Sequence, residues 1–369
     1  MRKLATLVTI EKVEPIENAD RLEVATMVGK SWRVVTGKGD FAPGDAAVYF
    51  EIDSYLPNEE RYAFLRERCL RKFVSKSGAV LAEGIRIKTA KLRGVVSQGL
   101  LMPISAFPEL ENDFLDFPLT SCDLTEKLNV KHFDEIEDAL RPQTGSAVAF
   151  DAYGSFPSVI PKTDEERIQN LADYFELMKG RAFEVTEKAD GMSVTMFYAP
   201  SIDPENPFGV CSRNYRLKPE TADGKIPLPW QMAKKYDVET KLRNLYESAG
   251  NAEYAFQGEL VGPGINGNRD LRTEHEWLIF RIYDITKGKF VTPKAARILA
   301  DVCEIPRVKV IEEYCKVFDK YPTFDNLMEF AQGNTDRGNE REGIVCKTVE
   351  SPYVSFKVVS NKYLLKGEK

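Results

Sequence analysis

Histidine is scarce in this chain: His132 and His275 are the two it has in 369 residues. That argues against a His-rich zinc site and against a His-based nucleophilic triad. The six cysteines form no C-x-x-C pair. Cys69, Cys211, Cys303 and Cys346 stand in apolar or strand-like surroundings, which predicts reduced thiols in a cytoplasmic protein. No apolar run approaches the roughly 20 residues needed to span a bilayer. The opening run Met1-Arg2-Lys3-Leu4-Ala5-Thr6 reads straight into an alternating strand and has no signal-peptide core, so no membrane role is expected. Positive charge is not in surplus either: 51 Lys and Arg stand against 57 Asp and Glu, a net charge of -6. A generic polyanion binder is excluded, and any nucleic-acid contact must come from a local basic face on an acidic body. There is no long internal repeat and no low-complexity tract.

What is there suits a globular protein of two domains, with 43% hydrophobic and 29% charged residues. Up to about Thr120 the chain reads as short strands separated by turn signals. Leu4 to Ile10, Leu22 to Val28, Trp32 to Thr36 and Ala46 to Ile52 alternate, and Glu14 to Asp20 reads as a loop. Gly29-Lys30 and Pro43-Gly44 stand where turns require them. Short even strands with this punctuation predict a small closed barrel of the OB type. Two basic clusters follow. The first is Arg66, Arg68, Arg71, Lys72 and Lys76, interleaved with Phe64 and Phe73; the second is Arg86, Lys88, Lys91 and Arg93. Each is either a solvated face or a phosphate-tracking groove with aromatic platforms. On the second reading Arg71, Lys72, Lys88, Lys91 and Arg93 are the candidate nucleic-acid contacts.

The acidic run Asp134 to Asp138, continued by Gln143-Thr144-Gly145-Ser146, reads as a linker and sets a boundary near residue 142. The expected domains are therefore 1–141 and 142–369. Beyond it, Thr163 as N-cap and Glu166 as its capping-box partner predict a helix start. From Phe183 onward strands and helices mix without strict alternation, which predicts an α+β domain rather than a doubly wound sheet.

The chemistry centres on Lys188-Ala189-Asp190-Gly191, which ends the strand-like run Phe183 to Glu187. A free lysine, with a pKa of about 10.4, is a poor nucleophile near neutrality unless positive charge or desolvation lowers it. A metal ion at a bound phosphate would do so, and Asp190, two residues on, projects on the same side as Lys188 and could help hold the hydrated ion. A surface lysine in an Asp-Gly turn is the bland alternative. Further segments follow in order. Ser212-Arg213-Asn214 offers a guanidinium for phosphate. Glu259, an acid inside an apolar strand, needs a partner, either a ribose hydroxyl or hydrated metal or the cation of a structural ion pair. Leu278 to Ile285 is a buried strand with Phe280 available to stack on a purine and Asp284 at its end. Glu342 precedes Gly343 and a strand ending in Lys347, and Lys357 lies on the next strand, where it could hold an α-phosphate. The run Gly262-Pro263-Gly264-Ile265-Asn266-Gly267 matches G-x-G-x-x-G, but Pro263 interrupts it and no βα unit with a ribose-binding acid follows.

Taken together, these segments resemble the motifs of the covalent nucleotidyltransferases. Lys188-Ala189-Asp190-Gly191 looks like motif I, Ser212-Arg213-Asn214 motif Ia, Glu259-Leu260 motif III, Phe280 to Ile285 motif IIIa, Glu342 to Val345 motif IV and Phe356-Lys357 motif V. The chain further resembles ATP-dependent RNA ligases of the Deinococcus/Naegleria type. A barrel-like domain comes first, Pro161 to Gln169 is similar to the stretch before that family's nucleophile, and little chain remains after Ser355 to Leu364. Ile85 to Gly94 and Ser97 to Leu100 also look familial.

The resemblance implies an OB-like barrel followed by an antiparallel-sheet, ATP-grasp-like nucleotidyltransferase domain. It implies ATP and Mg²⁺ or Mn²⁺ as cofactors, and RNA ends or a nicked RNA-containing duplex as partner, with no obligate protein partner. By carry-over Lys188 is the nucleophile, and Asp190, Glu259, Glu342 and Asp284 would face metal-bound water. Arg167, Glu187, Arg213, Phe280 and Lys347 would contact the nucleotide, with Phe280 on adenine, and Lys357 would hold the α-phosphate. The reaction implied is sealing of 3′-OH/5′-PO4 ends, with RNA on the 3′-OH side, in RNA repair. One departure stands out. Related ligases often carry two closely spaced lysines in motif V, and here Ser355 stands in place of the first, leaving Lys347 or Lys362 to supply the charge. The competing readings are a DNA ligase or GTP-using capping enzyme, separable by nucleotide preference, and a non-catalytic RNA-binding protein.

Overall fold

The structure is a computed structural model and describes residues 3–110, 122–144 and 151–366. Its residues fall into two compact units. The first holds residues up to 144 with 168–173 and 364–366, and the second holds 151–167 and 174–363.

In the first unit, strands Ala5–Pro15, Leu22–Met27, Lys30–Gly37, Ala46–Phe50 and Leu100–Pro103 form one antiparallel sheet, with Ala5–Pro15 at its centre. Alternation drives the pairing. In Lys30–Gly37, Trp32, Val34 and Thr36 are buried while Arg33 is exposed. Trp32 and Val34 pack with Val8, Ile10, Ala25 and Met27. A second sheet comprises Ser54–Pro57, Leu70–Val74, Val80–Arg86 and Lys131–His132, and Thr89–Leu92 and Val95–Gln98 form a hairpin. Arg93 and Gly94 are its two-residue turn, with φ of 50° and 87°, the positive values such a hairpin needs. Asn170 is held inside this unit, accepting from Trp32 Nε1 at 2.6 Å and donating to Glu51 Oε1 at 2.6 Å.

Two expectations are corrected. The acidic run read as a linker opens the helix Phe133–Thr144, with Asp134 and Glu135 in its first turn, where the helix dipole favours them. Gly145 and Ser146 lie outside the described residues. The helix start read at Thr163 is absent: residues 161–166 have no regular secondary structure, and tertiary partners take the polar groups a helix would use.

The second unit contains two antiparallel sheets. The larger runs in the order Ala152–Ser155, Tyr215–Leu217, Phe208–Cys211, Met192–Tyr198, Tyr254–Val261, Glu276–Asp284, Lys289–Phe290. Helices Leu228–Lys235, Val238–Ser248 and Pro293–Val302 cover its apolar face, where Val194, Met196, Phe256, Trp277 and Ile282 form the main core. The smaller sheet runs Val310–Cys315, Phe183–Glu187, Gly343–Thr348, Ser355–Val359. One of its faces is closed by three edge-on or tilted rings, Phe183, Phe318 and Phe356, with centroids 5.5–5.7 Å apart.

The other face of the smaller sheet is polar, and register fixes its composition. Thr186, Val345 and Lys357 lie in one cross-strand row, and Glu184, Lys347 and Ser355 in the next. Lys188 follows Glu184 and Thr186 at the two-residue period of a strand and so continues this face.

Candidate active site

Lys188 leaves the sheet with its amide still donating to Gly343 O at 3.0 Å. Three residues later, at Gly191, the chain has crossed to the edge of strand Tyr254–Val261, with which Met192–Tyr198 then pairs. A Cβ at Gly191 would lie 2.3 Å from Leu260 O and 2.8 Å from Val261 Cγ1, so the glycine of the tetrapeptide is what permits the crossing. The crossing brings Lys188 within electrostatic range of Glu259. From the neighbouring strand, Glu342 accepts a hydrogen bond from Lys188 Nζ at 2.6 Å.

Four sequence-predicted residues are therefore brought together: Lys188, Asp190, Glu259 and Glu342. Burial works to lower the Lys188 amine, but the charges of Glu342, Glu259 and Asp190 outweigh it and hold the amine above the ordinary lysine range. Burial pushes Glu259 up to about 8, opposed by Lys188 and reinforced by Glu342 and Asp190. Burial and Asp190 also raise Glu342, against the pull of Lys188 and Lys357. Among the described residues no three His, Cys, Asp or Glu side chains stand close enough to ligate a metal ion together. Mutually repelling carboxylates around one lysine fit a hydrated cation held through water rather than a preformed inner shell.

Phe280 and Lys347 meet at a second part of the polar face. A cavity there is lined by Glu184, Thr186, Phe280, Arg281, Arg297 and Lys347, among others. Lys347 is 2% exposed, and its Nζ donates to Thr186 Oγ1 at 3.3 Å. Burial pushes this amine down to about 8. Phe280 reaches the cavity through a β-bulge. Gln257 pairs with Arg281 and Gly258 with Ile279, leaving Phe280 as the extra residue. The bulge turns both Phe280 and Arg281 to the face shared with Gln257 and Glu259.

Arg281 in turn anchors the irregular segment 161–167. It donates to Gln257 Oε1 at 2.6 Å, Glu165 Oε1 at 2.7 Å and Lys162 O at 2.6 Å. Glu165 also accepts from Ser355 Oγ. Lys357 N donates to Glu166 O at 2.8 Å, and Arg167, 6% exposed, forms a parallel bridge with Lys357. Arg213 pairs with Asp164 at 3.1 Å beside the same segment. Ser355 thus serves as a strap anchor on the face where Lys347 and Lys357 flank it.

Three predicted groups are elsewhere or otherwise engaged. Asp284 lies at the opposite end of its strand, in register with Tyr254, whereas Glu259 pairs with Leu278. That separation is roughly 17 Å along the ladder. Asp284 instead caps a turn, accepting from Lys287 N at 2.9 Å and Lys287 Nζ at 3.0 Å. Glu187 has the opposite strand parity to Lys188, and its carboxyl, raised by burial, feels Asp270, Asp336, Lys309 and Arg341. Lys362 pairs with Glu340 at 3.4 Å. In the first unit, Arg71 donates to its neighbour's carbonyl, Leu70 O, at 2.8 Å, and Lys72 is ion-paired with Glu83. Lys91 and Arg93 are exposed at the hairpin tip, and Lys88 is partly buried just before it.

Two residues at the site escaped the sequence reading. Asn266 Nδ2 donates to Asp190 Oδ1 at 3.1 Å and to Gly191 O at 2.7 Å, and the Tyr363 hydroxyl donates to Asp190 Oδ2. The signals were present, Asn266 in the rejected glycine-rich run and Tyr363 in the final familial stretch. Neither is a residue type that marks a site by itself.

An OB-fold domain model matches residues 4–104 and an RNA ligase model matches residues 181–363. No curated protein sequence matches the chain. Among solved structures, Naegleria gruberi RNA ligase with PPi is 33% identical, with a TM-score of 0.81 and 99% of each chain covered. A mutant of that ligase with ATP and Mn is 32% identical, with a TM-score of 0.81 and 99% of each chain covered. Another mutant, with AMP and Mn, gives the same identity, TM-score and coverage, 32%, 0.81 and 99%. With the OB-fold domain first and this similarity over nearly the whole chain, the protein belongs to the RNA ligase family, of the Naegleria type.

Proposed function

We propose that the protein is an ATP-dependent RNA ligase that seals 3′-OH and 5′-PO4 ends, at nicks with RNA on the 3′-OH side, in RNA repair. In the first step the deprotonated Lys188 amine attacks the α-phosphorus of ATP. An N–P bond forms, the bond to the β-phosphate oxygen breaks, and pyrophosphate leaves. In the second, a 5′-phosphate oxygen of the nucleic acid attacks the same phosphorus and the N–P bond breaks, which returns the electron pair to Lys188. In the third, the 3′-hydroxyl attacks the activated 5′-phosphate and AMP leaves with its oxygen.

The observation that carries the reading is the Lys188–Glu342 pair, 2.6 Å apart, on a face that also bears Lys347 and Lys357. Glu342 takes the lysine proton as ATP displaces the ion pair. Lys357, and Lys347 beside Ser355, balance the charge of the α-phosphate. Phe280 stacks on adenine in the cavity beside Lys347. Asp190, Glu259 and Glu342 would hold a hydrated Mg²⁺ or Mn²⁺ through its water, and the ion would neutralise phosphate charge and depress the lysine pKa. Residues 1–141, through Lys88, Lys91 and Arg93 above all, contact the nucleic acid, and 142–369 carry out the chemistry.

The test is incubation with α-labelled ATP and either metal, then denaturing electrophoresis, for wild type and Lys188→Ala. An adduct lost in the mutant supports the lysyl-AMP step, and RNA and DNA nicks then define the substrate. Failure to label with ATP, from protein free of pre-bound AMP, would overturn the reading.

A further inference from the structure

Two segments have no task in the reaction above: the glycine-rich loop around Asn266 and the helix Asn361–Lys366 after the strand of Lys357. In the structure both end on Asp190. Asn266 stands in a loop closed on itself, with Asn268 N bonded to Ile265 O at 2.7 Å and Arg272 N to Asn268 Oδ1 at 3.0 Å. From this frame its amide reaches Asp190 Oδ1 at 3.1 Å and Gly191 O at 2.7 Å. One side chain thereby fixes both the carboxylate and the backbone of the nucleophile loop.

Tyr363 approaches from the other side. Its ring is 7% exposed, the Arg269 guanidinium lies 4.2 Å from the ring centroid, and Arg269 Nη1 donates to Tyr363 O at 3.0 Å. The hydroxyl donates to Asp190 Oδ2. Each Asp190 oxygen therefore accepts one bond from a donor whose own position is fixed. A carboxylate offers about four lone-pair sites, so each oxygen keeps a second lone pair. With both oxygens tied, the carboxylate plane cannot rotate, and the remaining lone pairs have a set direction.

We infer that Tyr363 and Asn266 are positioning residues for Asp190, aiming its free lone pairs at the hydrated cation. The inference deepens the proposed function and rests on Asp190 acting there. Neither residue is assigned a contact with nucleotide or RNA. The physical basis is that outer-shell hydrogen bonds orient the groups a metal site uses, and losing one typically costs about 10–100-fold in metal affinity.

The test uses the full-length protein with α,β-methylene-ATP, which cannot transfer its AMP to lysine. Bound Mn²⁺ is read from the electron paramagnetic resonance of the free ion, for wild type, Tyr363→Phe, Asn266→Ala, Asp190→Asn and the Tyr363→Phe/Asp190→Asn pair. The Mn²⁺ needed for half-maximal lysyl-AMP formation is measured alongside, except with the analogue. Tyr363→Phe and Asn266→Ala are each expected to weaken Mn²⁺ binding roughly 10-fold or more, with an unchanged melting temperature. Adding Tyr363→Phe to Asp190→Asn should cost nothing further. Wild-type Mn²⁺ binding in both Tyr363→Phe and Asn266→Ala, with binding weakened in Asp190→Asn, would overturn the inference and leave the Asp190 reading standing. Wild-type binding in Asp190→Asn would remove that reading and the inference with it. If Asn266→Ala does not fold, Tyr363→Phe decides alone, because it keeps the ring under Arg269.

Discussion

Lys188 Nζ lies 2.6 Å from Glu342 Oε2, so in the nucleotide-free protein the candidate nucleophile is committed to an ion pair. Glu342 is the strongest of the charges that hold the lysine above its ordinary range. The rate of lysyl-AMP formation should therefore rise toward alkaline pH as the amine loses its proton. Glu342→Gln removes the charge that retains that proton, so the rising limb should move to lower pH while the maximal rate falls by roughly 100-fold. Initial rates across neutral and alkaline pH check this. A limb that does not move would show that Glu342 does not govern the amine.

Glu259 gives a prediction about stability. Its carboxyl is pushed up to about 8 in the folded protein, against about 4.3 in an unfolded chain. Between those values the folded state holds the extra proton, so this group's contribution to stability falls as pH rises from about 4.3 to about 8. Glu259→Gln should be stabilised relative to wild type at pH 8 and much less so near pH 5. Urea unfolding at the two pH values measures the difference, and an equal effect at both would contradict it.

Lys347 acts with the opposite sign. A buried amine lowered to about 8, against about 10.4 unfolded, costs stability while protonated. The folded state gives up the proton first, so this cost is relieved as pH rises from about 8 to about 10.4, by on the order of 3 kcal/mol. Lys347→Met keeps the volume without the charge and should match or exceed wild-type stability at pH 7. The advantage should shrink above pH 8, while lysyl-AMP formation falls at every pH. A mutant less stable than wild type at neutrality would mean that the amine has a compensating partner.

Phe280→Ala should raise the KM for ATP in the labelling reaction by up to about 10-fold, the worth of one aromatic stacking contact. Phe280→Tyr should restore it. An unchanged KM in a folded Phe280→Ala protein would place the base elsewhere.

Arg281 is 4% exposed and makes its three hydrogen bonds to the strap and the adjoining strand. Arg281→Met should destabilise the protein by roughly 3–5 kcal/mol, because Glu165 is left buried without its partner. Arg281→Lys should recover only part of this, since a point charge cannot fork onto Gln257, Glu165 and Lys162 together. Denaturant midpoints check both.

The legible parts of this protein were those written locally. Lys188-Ala189-Asp190-Gly191 carries its own strand end, crossing glycine and carboxylate, and alternation such as Trp32, Val34, Thr36 marks a strand at sight. What could not be read depended on partners distant in sequence. Thr163 and Glu166 spell a capping box, but Thr163 bonds Ser193 at 2.7 Å and the Glu166 carbonyl bonds Lys357 N at 2.8 Å, so no helix forms there. Asp284 looked like a site acid because an acid at a strand end does not reveal which end of the sheet it occupies. Asn266 and Tyr363 lie 76 and 173 residues from Asp190, and only the fold shows that they meet there.

The bulge at Phe280 also makes its strand a two-frame message. Up to Ile279 one parity faces the site, and from Arg281 onward the other does. Deleting Phe280 would leave the strand regular: Ile279 and Arg281 would keep Gly258 and Gln257 as partners, Ile282 would stay in the core, and the polar face would lose one ring and nothing else. Deleting Ile282 instead would move Tyr283 into the core-facing place and reverse the strand's remaining side chains. The strand can lose a residue at its bulge and nowhere else without changing what it shows to the core.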